Sequence, residues 1–192
     1  MAIAPGRTAA AGRIYTIGHS TRAFAELVDL VAAHGVRQLA DVRSFPASRR
    51  YPHFARAHLE QALPRAGIAY RWMPALGGRR RLGAGPSANA GWRVAGFRAY
   101  ADHMAMPEFA AARADLEVWA AAAPTVFMCA EAAYRMCHRQ LIADALVARG
   151  WEVLHIESRT RARPHALTTF ARLGEDGRIT YPGDPELPLE ST

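Results

Sequence analysis

The stretch Thr125 to Gly150, TVFMCAEAAYRMCHRQLIADALVARG, constrains this chain more than any other. It starts with a short apolar run, Thr125-Val126-Phe127-Met128, set off by Pro124. Such a run, bounded by a breaker, reads as a buried strand. It ends in a run where Leu141, Ile142, Ala145 and Leu146 share one face while Arg139, Gln140, Asp144 and Arg149 lie elsewhere. That is an amphipathic helix, and Gly150 stops it. Between the two lie Cys129, Glu131, Arg135, Cys137, His138 and Arg139. Packing does not need that much chemistry in one turn. In a parallel sheet the turn sits at the carboxyl end of its strand, where open α/β sheets bind ligands.

The same alternation runs through the chain. Arg13–Ile17 reads as a first strand, followed by the turn Gly18-His19-Ser20-Thr21. A helix follows with Phe24, Leu27, Val28 and Val31 on one face, capped by Ser20 or Thr21 and ended by Gly35. Val36–Val42 is the second strand, a helix spans about 55–63, and Ile68–Met73 is the third strand. Residues 74–96 are irregular and carry Arg79-Arg80-Arg81; a segment of that length suits a functional lid or a flexible insertion. Helices at Phe97–Met104 and Pro107–Ala121 lead into the strand at Thr125, and Trp151–Ile156 is the fifth strand. A short helix near Leu167–Leu173 and a turn at Asp176-Gly177 read as an appendage. This order predicts an α/β, Rossmann-like three-layer fold: a mainly parallel sheet of about five strands with helices on both faces. The expected organisation is a flexible leader at 1–12, a single α/β domain at 13–183 with a lid at 74–96, and a loose tail at 184–192.

Composition narrows the functions. Hydrophobic residues make up 51%, enough for a sizeable core. No apolar run approaches the ~20 residues that span a bilayer, so no membrane partner is expected. Two cysteines without a secretory leader point to a reducing cytoplasm. The formal net charge is +7 and no lysine occurs, which excludes Schiff-base chemistry on a lysine. The arginines reflect either a compositional habit or an anionic partner, a small molecule or a nucleic acid. Neither a dinucleotide fingerprint nor a phosphate-binding P-loop is present, and no cofactor or oligomeric state is implied.

Parallel strands end on one edge, so residues distant in sequence converge on one crevice. His19 follows the first strand, Asp41 and Arg43 the second, Cys129 and Glu131 the fourth, beside Cys137, His138 and Arg139, and His155 and Glu157 the fifth. Arg43 and Arg139 are the candidate anion binders, since a guanidinium grips phosphate with two parallel hydrogen bonds. They equally suit structural ion pairs with Asp41 and Glu131. Ser20, Arg79, Cys129 and His138 are further candidate ligand contacts. Asp41 and Glu131 are candidate acid–base groups or ribose binders, and His19 is the candidate proton carrier. Cys137, at a helix start, is a conceivable nucleophile. Successive helical residues point about 100° apart, so His19 or His53 suits it as a base better than His138 does. Cys129 reads as a buried strand residue, and Cys-x7-Cys-His matches no common zinc spacing, so no metal is assigned. Tyr51, Phe54, Tyr70, Trp72 and Trp92 are candidate stacking surfaces for a base.

Several motifs occur in a telling order. They are Ile17-Gly18-His19-Ser20, Asp41-Val42-Arg43-Ser44-Phe45-Pro46, Leu76-Gly77-Gly78-Arg79, Tyr100-Ala101-Asp102-His103-Met104, Met128-Cys129-Ala130-Glu131 and Cys137-His138-Arg139. Together they resemble the domain-of-unknown-function 488 family. Gly150–Ile156 and Tyr181-Pro182-Gly183 extend the likeness. The resemblance implies a Rossmann-like α/β fold and no assigned activity. The expected function is that of a hydrolase or group transferase acting on an anionic, nucleotide-like or phosphorylated ligand in the crevice. The alternative is a non-catalytic nucleic-acid or nucleotide-binding module.

Overall fold

The computed structural model describes residues 11–47 and 50–183. Most of the expected leader and all of the expected tail lie outside them. In chain order the elements are β1 (Gly12–Gly18), α1 (Phe24–Ala33), β2 (Gln38–Asp41), α2 (Arg56–Arg65), β3 (Ala69–Trp72), α3 (Ala95–Met104), α4 (Pro107–Ala122), β4 (Thr125–Cys129), α5 (Arg139–Val147), β5 (Trp151–Ile156), β6 (Ala162–Pro164), β7 (Arg172–Leu173) and β8 (Ile179–Thr180). Six strands form one sheet in the order β3-β2-β4-β1-β5-β6. The first five run parallel, and β6 is an antiparallel edge on β5.

The central strand β4 is buried along its whole length and mostly apolar, because both faces of the sheet are covered. Side chains alternate along a strand. Tyr15, Ile17, Val126 and Met128 therefore pack with Leu27 and Val31 of α1 and Leu59 and Leu63 of α2. Ile14, Phe127, Cys129 and Val153 point the other way, against α3, α4 and α5. These are the three expected layers. Cys129 thus reaches the face from which Cys137 and α5 approach.

Three local expectations are corrected. The residue before α1 is Ala23, with no side-chain cap, and neither Ser20 nor Thr21 caps it. The chain at His19 and Ser20 continues the ladder instead, donating backbone hydrogen bonds to Cys129 and Ala130 carbonyls at 2.9 Å each. Ser20 takes a left-handed φ of 50° to do so. No helix forms near Leu167–Leu173. A turn with Gly177 at φ 75° favours the β7–β8 hairpin there.

Nor is the closing segment an appendage. Asp144 of α5 is fully buried and accepts from Thr168 N (2.9 Å), Thr168 Oγ1 (2.7 Å), His165 Nε2 (2.8 Å) and Tyr181 Oη (2.9 Å). This carboxylate knits the C-terminal residues to the core. Asp144→Ala would strand several buried donors, so a loss of about 3–5 kcal/mol in urea unfolding is expected. Asp176→Ala, in an exposed pair with Arg178, should change stability by no more than about 0.5 kcal/mol.

Candidate functional site

A crevice of about 370 Å³ opens at the carboxyl edge of β4, beside the chain that leaves β2. Its wall includes Arg43, Ser44, Arg79, Cys129, Glu131, Cys137 and His138, with Phe45, Phe97, Tyr100 and Met136 as apolar lining. Five of those first seven lie in the two turns that the parallel topology brings together. Arg79 arrives from the long irregular segment and Cys129 ends its own strand.

The thiols and the imidazole form the chemical centre. Cys129 Sγ lies 2.7 Å from Cys137 Sγ, and Cys137 Sγ lies 3.4 Å from His138 Nδ1. His138 Nε2 is 2.9 Å from the Val42 carbonyl. A carbonyl can only accept, so Nε2 carries the ring proton and Nδ1 presents its lone pair to the Cys137 thiol. The helical argument against this pair fails for a simple reason. Cys137 is extended (φ −144°, ψ 148°) after a 3-10 turn at Tyr134–Met136, and α5 starts only at Arg139.

Both thiols are buried, and their acidities diverge. Burial raises the Cys137 thiol, but the Cys129 S–H, the Arg139 charge and the Arg139 backbone N–H outweigh it and bring Cys137 to about 7. Hydrogen bonding to Cys137, with burial, pushes Cys129 up. Cys137 is therefore the more acidic of the two thiols, and the proton they share favours Cys129. The atoms Cys129 Sγ, Cys137 Sγ and His138 Nδ1 lie within 4.8 Å of one another, a set that could hold a metal. The 2.7 Å sulfur spacing is about 1 Å tighter than two thiolates keep around tetrahedral zinc at ~2.3 Å.

Beneath this wall lie charges already committed. Arg43 pairs with buried Asp41 through Nε (2.8 Å) and NH2, reaches the Phe54 carbonyl (2.8 Å), and meets His19 Nε2 through NH1 (3.2 Å). Tyr70 Oη donates to the same aspartate at 2.8 Å. His19 Nδ1 faces the Ser20 carbonyl at 3.0 Å, and its ring stacks on Phe54. Burial, aided by Arg43, lowers His19 to about 4, so it is neutral with both nitrogens engaged. Arg139 is 1% exposed. It donates to Thr16 Oγ1 (2.9 Å) and to the Ala132 (3.1 Å) and Glu131 carbonyls, not to the Glu131 carboxylate. Arg43 alone of these reaches the crevice wall; Asp41, His19, Ser20 and Arg139 do not line it. His53 bonds the Arg22 carbonyl and also lies outside it.

The long segment is fastened at many points. Tyr100 Oη donates to the Leu76 carbonyl (2.8 Å), and His103 Nε2 bonds that of Ala75 (2.9 Å). Arg80 is tied to the carbonyls of Gly77 and Ala75. The glycine pair has a steric purpose. A Cβ on Gly77 would come within 2.4 Å of Ser44 Oγ, and one on Gly78 within 2.4 Å of His138 Nδ1. Arg79 itself is exposed, and no carboxylate pairs with it among the described residues.

The aromatic candidates have structural duties. Phe54 is buried under His19, Trp72 Nε1 donates to the Arg43 carbonyl (2.9 Å), and Trp92 packs with Phe97, Phe170 and Tyr181. Sequence reasoning missed the glycine contacts and the Asp144–His165–His155 chain, whose members lie 21 and 10 residues apart. No pattern at such spacing announces a contact.

The model of a family described as "Domain of unknown function DUF488" matches residues 23–146. No curated protein and no solved structure matches the chain.

Gly78→Ala should push the His138 ring from Cys137 and slow iodoacetamide modification of Cys137 at pH 7 roughly tenfold, read by peptide mass spectrometry. Gly83→Ala, with nothing within 4 Å of the added carbon, should leave the rate unchanged.

Proposed function

Because the chain belongs to the domain-of-unknown-function 488 family, whose description assigns no reaction, we propose from the crevice itself that the protein is a thiol-dependent enzyme. It is a hydrolase or group transferase acting on a small anionic ligand of the phosphorylated or nucleotide-like class. The observation that carries this reading is the Cys137–His138 pair, with its tautomer held by the Val42 carbonyl, inside a crevice whose rim carries Arg79.

Each residue then has a role. Arg79 anchors the anion, and its exposed guanidinium can close onto two ligand oxygens. The Cys137 thiolate attacks the electrophilic centre; a sulfur bond forms as the bond to the leaving group breaks. His138 Nδ1 takes the thiol proton and returns it to the leaving group. Glu131, exposed on the crevice wall, orients the second acceptor, a hydroxyl or water, and takes its proton. Cys129 and Arg139 hold negative charge on Cys137. Asp41, Arg43 and His19 position the wall rather than react, and Ser20 shapes the turn below.

A small ligand is favoured over a polymer because the reactive atoms sit inside a concavity and not on a convex basic face. Among the described residues no helix is long and apolar enough to cross a membrane. A reducing cytoplasm is the compartment in which both thiols stay free.

The test uses inorganic phosphate and nucleoside monophosphates as protectants of Cys137 against iodoacetamide. Both should protect, and Arg79→Ala should weaken protection roughly tenfold, the loss of one charge-assisted contact. In a screen of phosphate and nucleotide esters, Cys137→Ser should abolish turnover and Glu131→Gln should lower kcat by ~100-fold or more. Turnover that survives Cys137→Ser would overturn the covalent step.

A further inference from the structure

The protonated partner thiol has a consequence of its own. Cys129 and Cys137 are both buried free cysteines at the crevice wall, eight residues apart, with sulfurs 2.7 Å from each other. A disulfide needs ~2.05 Å. The remaining gap is small, and the chain between the two is irregular, with only one short 3-10 turn. Most of residues 130–136 are exposed. The backbone of Cys129 to Ala132 is held by His19, Ser20 and Arg139, so the two side chains close the gap by turning about their own bonds. His138 Nδ1 faces Cys137 and is placed to move the protons such a reaction requires.

We propose that Cys137 and Cys129 are a reversible peroxide-responsive pair, Cys137 being the thiol that is oxidised and Cys129 the thiol that resolves it. The proposal rests on the reading of Cys137 as the reactive thiolate and adds a second fate for it. In the first step His138 Nδ1 takes the Cys137 proton, and the thiolate attacks a hydroperoxide oxygen. The O–O bond breaks, sulfur is oxidised to the sulfenic acid, and the alkoxide or hydroxide leaves as an alcohol or water with the proton that His138 supplies. In the second step Cys129 sulfur attacks the sulfenic sulfur. The S–S bond forms, the S–O bond breaks, and the Cys129 proton departs with hydroxide as water. One hydroperoxide is reduced and two thiols are oxidised, so electrons balance. A small dithiol restores the pair by exchange.

The direction of the assignment follows from the surroundings. Cys137 lies beside His138 and the buried Arg139 charge, the setting that favours a thiolate. Cys129 ends β4 with its backbone carbonyl held by the His19 N–H, so its sulfur is a fixed target within reach. In the disulfide form Cys137 is no longer a nucleophile, and the crevice chemistry is off until reduction. A cytosolic disulfide of this kind is transient and sensing rather than structural.

The experiment treats the full reduced chain with an equimolar amount of hydrogen peroxide and reads intact mass and free thiols. The expected result is loss of two hydrogens, loss of both free thiols, and full recovery with dithiothreitol. In Cys129→Ser the same treatment should give a dimedone-trappable sulfenic acid at Cys137 and then sulfinic acid that dithiothreitol does not reverse. The wild-type measurement stands alone should that variant not fold. Two surviving thiols, or sulfinic acid at Cys137 in the wild type, would overturn the pairing. So would a stoichiometric zinc ion that blocks oxidation until a chelator removes it. The two readings fail separately. Disulfide formation without protection by phosphate would sink the anionic substrate and spare the redox pair. Phosphate-protected, Cys137-dependent turnover with no disulfide would do the reverse.

Discussion

The site depends on a buried cation that pairs with no carboxylate among the described residues. Arg139 is the first residue of α5, yet its side chain runs back under the turn after β4 and holds the Glu131 and Ala132 carbonyls together with Thr16 of β1. Leaving a guanidinium buried among neutral acceptors is costly, and its Nε has no partner among the described residues. The cost is offset if a negative charge develops close by, and Cys137 is the group placed to carry it. Gly18 makes the arrangement possible, because a Cβ there would lie 1.8 Å from the Glu131 carbonyl oxygen and 2.9 Å from the guanidinium. The Gly-His-Ser turn and the Cys-His-Arg turn are thus two halves of one device.

A second layer of support surrounds the thiols. Val42, directly after β2, fixes the His138 tautomer through its carbonyl, and Gly78 leaves room for the ring. Tyr100 and His103 of α3 hold the carbonyls just before that glycine. Arg43, Asp41, Tyr70 and His19 form a buried network whose members satisfy one another. A fully satisfied network of this kind fixes geometry. The ordered motifs are therefore more about placing backbone and rings than about touching a ligand.

The fold was legible because its signals are periodic and local. The strand-helix alternation, the glycine stops and the apolar central strands led to the parallel sheet, the three layers and the shared edge. The family could also be recognised from ordered motifs. The edge strand β6 and the hairpin β7–β8 were not, because strands of two or three residues carry almost no period. The C-terminal segment misled for another reason: its anchor, Asp144, lies on a distant helix. Within the site, convergence was legible but the division of labour was not. Arg43 and Arg139 look like anion grips in sequence, and only burial reveals that most of their donors already meet acceptors of the protein. His138 looked misdirected because Cys137 was read as helical, and one extended residue turns the imidazole towards the sulfur.

The central claim is that Cys137 is unusually acidic and ionises near neutral pH. Its ultraviolet absorbance, followed against pH in the wild type and in Cys137→Ser, reads that charge without any substrate. The account predicts a thiolate signal that is present above pH 7, falls away below it with a midpoint of about 7, and is missing in Cys137→Ser. A first midpoint at the ordinary cysteine value of ~8.5 or above, or a signal near 7 that persists in Cys137→Ser, would contradict it.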